Sequence, residues 1–113
     1  MKMFTKKQKE KMIENFKLAN SDKQGDLKPV VKLFGGSSCT WLLVDLDLRT
    51  NTAFGLCDLG MGFPELGSVS VEELNDLRFP PFGLPIERDL YFKPDKSIRE
   101  YNNQAYKLGY IQA

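Results

Sequence analysis

The sequence predicts an α+β fold: a small antiparallel sheet with three helices, near residues 6–19, 71–77 and 98–108. Three observations predict it. Apolar residues recur at helical spacing near both ends of the chain. A long β-prone run, Thr40 to Leu48, is followed by Arg49-Thr50-Asn51 and a second run from Thr52 to Leu59, as in a hairpin. Glycine and proline clusters separate these segments as loops and turns.

The first helix follows from Thr5 and Gln8, which are spaced as a capping box, and from Met12, Ile13, Phe16 and Ala19 on one side. Asn20-Ser21-Asp22 and Gly25 are the expected stop. Pro29 precedes a predicted strand near 30–34, and Gly35-Gly36-Ser37-Ser38 reads as a loop.

For the hairpin, pairing Leu48 with Thr52 sets Leu46 opposite Phe54, Val44 opposite Leu56 and Leu42 opposite Asp58. Side chains alternate along a strand, so Leu42, Val44, Leu46, Phe54 and Leu56 are expected on one buried face. The other face is expected to be wet, carrying Asp45 and Asp47. Gly60 to Gly67 reads as a turn-rich connection. Ser70 with Glu73 starts a short helix with Val71, Leu74 and Leu77 inward. Three prolines exclude helix from Arg78 to Pro85, and a last strand is expected near 89–93. Ser97 with Glu100 starts the third helix, with Ile98, Tyr101, Ala105 and Leu108 on one side and Gly109 as its stop.

Composition narrows the chemistry. The 113 residues fit a single domain, with the N-terminal helix as an appended element, and no apolar run is long enough to span a membrane. The start is basic without an apolar stretch after it, so a cytoplasmic location is expected. There is no histidine, which removes the Ser-His-Asp and Cys-His triads and histidine-based zinc sites. Cys39 and Cys57 are too few for a disulfide framework. No enzyme activity, cofactor or tightly bound metal is expected.

Charge is unevenly spread. Residues 1–36 carry nine lysines against Glu10, Glu14, Asp22 and Asp26, a balance of +5. Residues 37–91 carry nine acids against Arg49, Arg78 and Arg88, a balance of −6. A basic arm and an acidic body follow. The acids Asp45, Asp47, Glu65, Glu72, Glu73 and Asp76 are candidate contacts for a basic partner. Phe79 and Phe82, with Leu84, lie on the proline-stiffened loop. They either form a partner-binding patch or fold back to close the core.

Clustered carboxylates also raise the possibility of a metal-dependent enzyme using Asp58, Glu65 or Glu87. Asp58 has a simpler reading, as a carboxylate capping the amides of the Gly60–Gly62 turn. The lysine-rich first helix allows a third class, a nucleic-acid accessory protein; a solvated face is its simpler reading. Gly60, Gly62 and Gly67 match neither a P-loop nor a dinucleotide fingerprint.

An ordered string of motifs carries a family resemblance. It comprises Pro29 to Phe34, Thr40 to Asp47, Ala53 to Gly67, Gly83 to Asp89 and Lys96 to Tyr101. Together, over about residues 29–101, they resemble a family of short bacterial proteins carried on conjugative plasmids, integrative elements and phages. That family is known only as a domain of unknown function, and it has no catalytic residues to carry over. One protein counted among inhibitors of type II-A CRISPR effectors is associated with it. The resemblance therefore implies a binding protein of a mobile element, with a CRISPR effector nucleoprotein as its partner. Direct nucleic-acid binding is not expected.

Overall fold

A computed structural model of the chain describes residues 3–19 and 24–113, with the side chain of Gln24 left aside. The expected stop at Asn20-Ser21-Asp22 lies outside the described residues. Five strands form one antiparallel sheet: β1 (Val31–Gly35), β2 (Cys39–Asp47), β3 (Thr52–Asp58), β4 (Glu65–Ser70) and β5 (Glu87–Arg88). Their order is β4-β3-β2-β1-β5. The helices are α1 (Lys6–Leu18), α2 (Val71–Asp76) and α3 (Ile98–Leu108). The predicted α+β class is the one the chain adopts.

Local chemistry explains the helix ends. Thr5 and Ser97 each form a complete capping box, with Gln8 and Glu100 respectively. At α2 only half of the expected box forms: the Ser70 hydroxyl accepts from the Glu73 amide. Gly109 closes α3 with φ of 81°, a left-handed conformation that glycine adopts without steric penalty.

The sheet is covered on both faces, which corrects the expectation of one wet side. Met12 of α1 and Leu74 of α2 pack with Val31, Leu33, Trp41, Leu43, Leu46 and Ala53 on one face. Ile98, Tyr101 and Ala105 of α3 pack with Leu42, Val44 and Leu56 on the other. The hairpin register also differs from the expected one. Leu42 pairs with Leu56 and Leu43 with Gly55, but Asp45 pairs with Phe54 and Asp47 with Thr52. The shift between Leu43 and Asp45 marks a β-bulge at Val44. A bulge inserts one residue into one strand and reverses the alternation beyond it. Leu46 consequently joins the α1 and α2 core, away from Leu42 and Val44, and Phe54 is only half-buried.

Three groups accommodate the bulge. The buried Asn15 side chain of α1 donates to the Val44 carbonyl at 2.9 Å. The Asp45 carboxylate accepts from the Phe54 amide at 3.2 Å. Gly55 sits where a Cβ would run into the Leu42 carbonyl oxygen and the Leu43 Cα, so the strand opposite the bulge has no room for a side chain. Through Met12 and Asn15, α1 is part of the core rather than an appended element.

Two further expectations change. Residues 65–67, expected as the end of a turn-rich connection, join 68–70 to form β4, which pairs with β3 from Thr52 to Cys57. Residues 89–93 are not a strand; β5 is the two-residue Glu87–Arg88 pair on β1. Leu77 and Leu108, expected inward, are exposed.

Candidate functional site

The carboxylates named from the sequence divide into two groups. Asp45 and Asp47 belong to the hairpin. Asp45 is 3% exposed and holds the bulge, so it is not available at the surface, contrary to its expected place on a wet face. Asp47 accepts from the Arg49 amide at 3.0 Å and pairs with its guanidinium, folding the hairpin turn.

Glu65, Glu72, Glu73 and Asp76 are exposed. Among the described residues none of the four makes an ion pair. Glu65 opens β4, while Glu72, Glu73 and Asp76 lie on α2, which begins where β4 ends. Strand rise separates Glu65 from the start of α2 by roughly 20 Å. Glu72 and Glu73 sit in the first turn, where carboxylates favour the helix dipole, so helix stability gives them a local reason. Asp76 sits in the last turn, where the dipole disfavours a carboxylate, while the Arg78 guanidinium donates to the Asn75 and Leu77 carbonyls at that end.

Glu72 also lines a groove of about 730 Å³ between α1 and α2, with Phe4, Lys6, Lys9 and Val71 among its walls. The basic arm and the acidic helix are thus neighbours. Lys6, Lys7, Lys9, Lys11 and Lys17 of α1 are all exposed.

The proline-rich loop resolves into both of its alternatives. Phe79 and Leu84 exchange backbone hydrogen bonds at 2.8 and 3.1 Å, closing a small hairpin. The Phe79 ring folds back onto Gly35 and Gly36, where any Cβ would meet it. Phe82, at the tip, is 82% exposed.

The three acids of the enzyme alternative are not assembled. Both Asp58 oxygens are engaged, by the Gly60 amide at 2.8 Å and by the Ile111 amide at 3.1 Å. The first bond is the expected turn cap; the second ties the residues after α3 to the end of β3. Glu65 and Glu87 lie on strands at opposite edges of the sheet, four strand spacings or roughly 19 Å apart. Among the described residues no group of three or more Cys, Asp or Glu could hold a metal ion.

The cysteines are half-buried and free. Burial pushes the Cys57 thiol up to about 11, and burial together with the Asp58 carboxylate raises that of Cys39. Raised thiols are poor nucleophiles at neutral pH.

Sequence reasoning missed one surface. The loop after β3 and the outer side of α3 expose Met61, Phe63, Leu66 and Tyr106 beside β4. Phe63 and Tyr106, 79% and 85% exposed, share a cavity of about 310 Å³ with Gly62, Pro64 and Glu65. The signal available was the apolar density of residues 59–66, which had been assigned to a turn.

These features define a small α+β domain, sheathed on both faces of its sheet, with unpaired acids and aromatic side chains on its surface. The chain belongs to the DUF2958 family, described as a protein of unknown function, whose model matches residues 3–112. The match takes in α1 and the segment after α3, both outside the 29–101 range of the resemblance. No curated protein and no solved structure matches the chain. No helix among the described residues is long and apolar enough to cross a membrane.

Proposed function

We propose that the protein acts by binding a macromolecular partner rather than by catalysis, as a counter-defence factor of a mobile genetic element directed against a type II-A CRISPR effector. The observation that carries the binding reading is the set of exposed carboxylates on α2, Glu72, Glu73 and Asp76, left without ion pairs within the described chain. Asp76 weighs most, because the helix dipole gives no local reason for a carboxylate in the last turn. Effectors of this type bind nucleic acid in arginine- and lysine-rich channels, which an acidic surface complements. The partner class rests on the family resemblance, and fold membership alone does not confer it.

The test is a DNA-cleavage assay with purified type II-A effector and guide, the protein being added in molar excess before the target. Inhibition that weakens as salt rises, and that is lost in the Glu72→Lys, Glu73→Lys, Asp76→Lys triple variant, is the expected result. Unchanged cleavage across several such effectors would overturn the partner assignment.

A second reading, nucleic-acid binding through α1, is favoured by its five exposed lysines, of which, among the described residues, Lys11 alone has an ion pair, with Glu14. A DNA mobility shift that disappears with added salt would support it instead.

A further inference from the structure

We infer that the free edge of β4 is a docking strand for an extended segment of a partner that carries basic side chains at both of its ends. This deepens the binding reading and rests on it, but it does not depend on the partner being a CRISPR effector.

The argument starts from backbone groups. β4 is the terminal strand of the sheet, and its register with β3 runs without interruption from Glu65 to Ser70. The Val71 amide donates to the Asn51 carbonyl at 3.0 Å, which makes that pair a hydrogen-bonded one. Antiparallel pairs alternate between bonded and non-bonded, so Glu65, Gly67 and Val69 bond inward to β3. The N–H and C=O groups of Leu66 and Ser68 therefore point outward, and among the described residues nothing else bonds them. Exposed edges of this kind are usually blunted by lysine, proline or a bulge. Within β4 none of these is present.

Gly67 is a second observation. It lies in mid-strand with ordinary backbone angles, and a Cβ added there would meet nothing within 4 Å. Neither conformation nor intrachain packing calls for glycine, which weakens a strand. The open space it leaves on the sheet face gives room for a side chain of an incoming segment.

Charge selects the occupant. Glu65 brackets one end of the edge, and Glu72 and Glu73 the other. A second copy of this chain pairing antiparallel about Gly67 would set Glu65 of one molecule opposite Val69 of the other, three residues short of Glu72, so acids with no base among them would gather at both ends. A basic segment meets opposite charges instead. Side chains alternate, so residues six apart on such a segment lie on one face and span roughly 20 Å, the strand distance from Glu65 to the start of α2, whose first turn carries Glu72 and Glu73. Leu66, on the other face of β4, and the Phe63–Tyr106 cavity, which Glu65 also lines, can take an apolar side chain next to the basic one. Main-chain bonds would give affinity and the alternate side chains specificity.

The probe is the blocked peptide Lys-Leu-Thr-Val-Thr-Leu-Lys, titrated into the full chain and followed by backbone NMR. Binding should shift the Glu65 to Ser70 resonances and slow hydrogen exchange at the Leu66 and Ser68 amides. The same peptide with glutamate at both ends should bind roughly threefold to tenfold more weakly. Ser68→Pro, which removes an outward N–H only, should abolish binding. Glu65→Lys combined with Glu72→Lys should move the preference to the glutamate-ended peptide, and this variant keeps the test valid if Ser68→Pro fails to fold. Shifts confined to α2 or to the Phe82 hairpin, no shifts at millimolar peptide, or protection of Leu66 and Ser68 by self-association without peptide would each overturn the proposal. Loss of CRISPR inhibition alone would leave these readouts untouched.

Discussion

Asp58 shows how much one side chain can hold in this molecule. It is 3% exposed, and its two oxygens fix the Gly60 turn and the Ile111 amide. Asp58→Ala leaves two amides without their acceptor. It should destabilise the domain by roughly 2–3 kcal/mol in urea unfolding and speed hydrogen exchange at Ile111. The glycines make a matched pair. Gly55→Ala should cost about 1–3 kcal/mol or more, since the new methyl meets the Leu42 backbone. Gly67→Ala should be neutral or stabilising by up to roughly 1 kcal/mol, since the space beside it is open. Cys57 supplies a pH dependence. Burial favours its neutral thiol, with the native pKa near 11 against 9.0 for the unfolded chain. The stability linked to that shift is complete below pH 9 and is lost as the pH rises from 9 towards 11. Comparing wild type with Cys57→Ala across that window isolates the thiol from other titrating groups: the wild type should lose its advantage as pH rises.

At the scale of elements, α1 is where the resemblance and the packing diverge. Deleting residues 1–20 removes Met12 from the core and leaves the Val44 carbonyl at the bulge without its donor. The truncated chain should unfold at lower temperature than the full one, and Asn15→Ala alone should cost roughly 1–3 kcal/mol. The helices were legible because capping pairs and apolar spacing are local. Thr5 with Gln8 and Ser97 with Glu100 mark two helix starts, and Gly109 marks a stop. The hairpin was legible in outline only. The bulge depends on Asn15, which is 29 positions away from Val44, and on a glycine opposite it. No pattern within the hairpin records that contact. The continuous apolar run Trp41-Leu42-Leu43-Val44 did carry the sign of a strand buried on both faces. β4 was hidden for a different reason. Its sequence, Glu-Leu-Gly-Ser-Val-Ser, is poor in β-formers, and pairing along β3 overrides that weak propensity.

Over the whole molecule, the near-neutral net charge of +1 conceals two separated surfaces. α1 presents lysines, and the start of β4 together with α2 presents carboxylates. They meet along the groove where Lys6, Lys9 and Glu72 are neighbours. A dipolar surface of this kind steers association by charge, and the steering is screened by salt. The central claim is that the carboxylates of α2 carry the binding. The most direct measurement is the affinity of the protein for an immobilised type II-A effector–guide complex as a function of ionic strength. Wild type is compared with the Glu72→Lys, Glu73→Lys, Asp76→Lys variant, whose fold is checked by NMR. The account predicts binding that weakens steadily with salt in the wild type and is absent in the variant. Equal affinity for both proteins, with no dependence on salt, would contradict it.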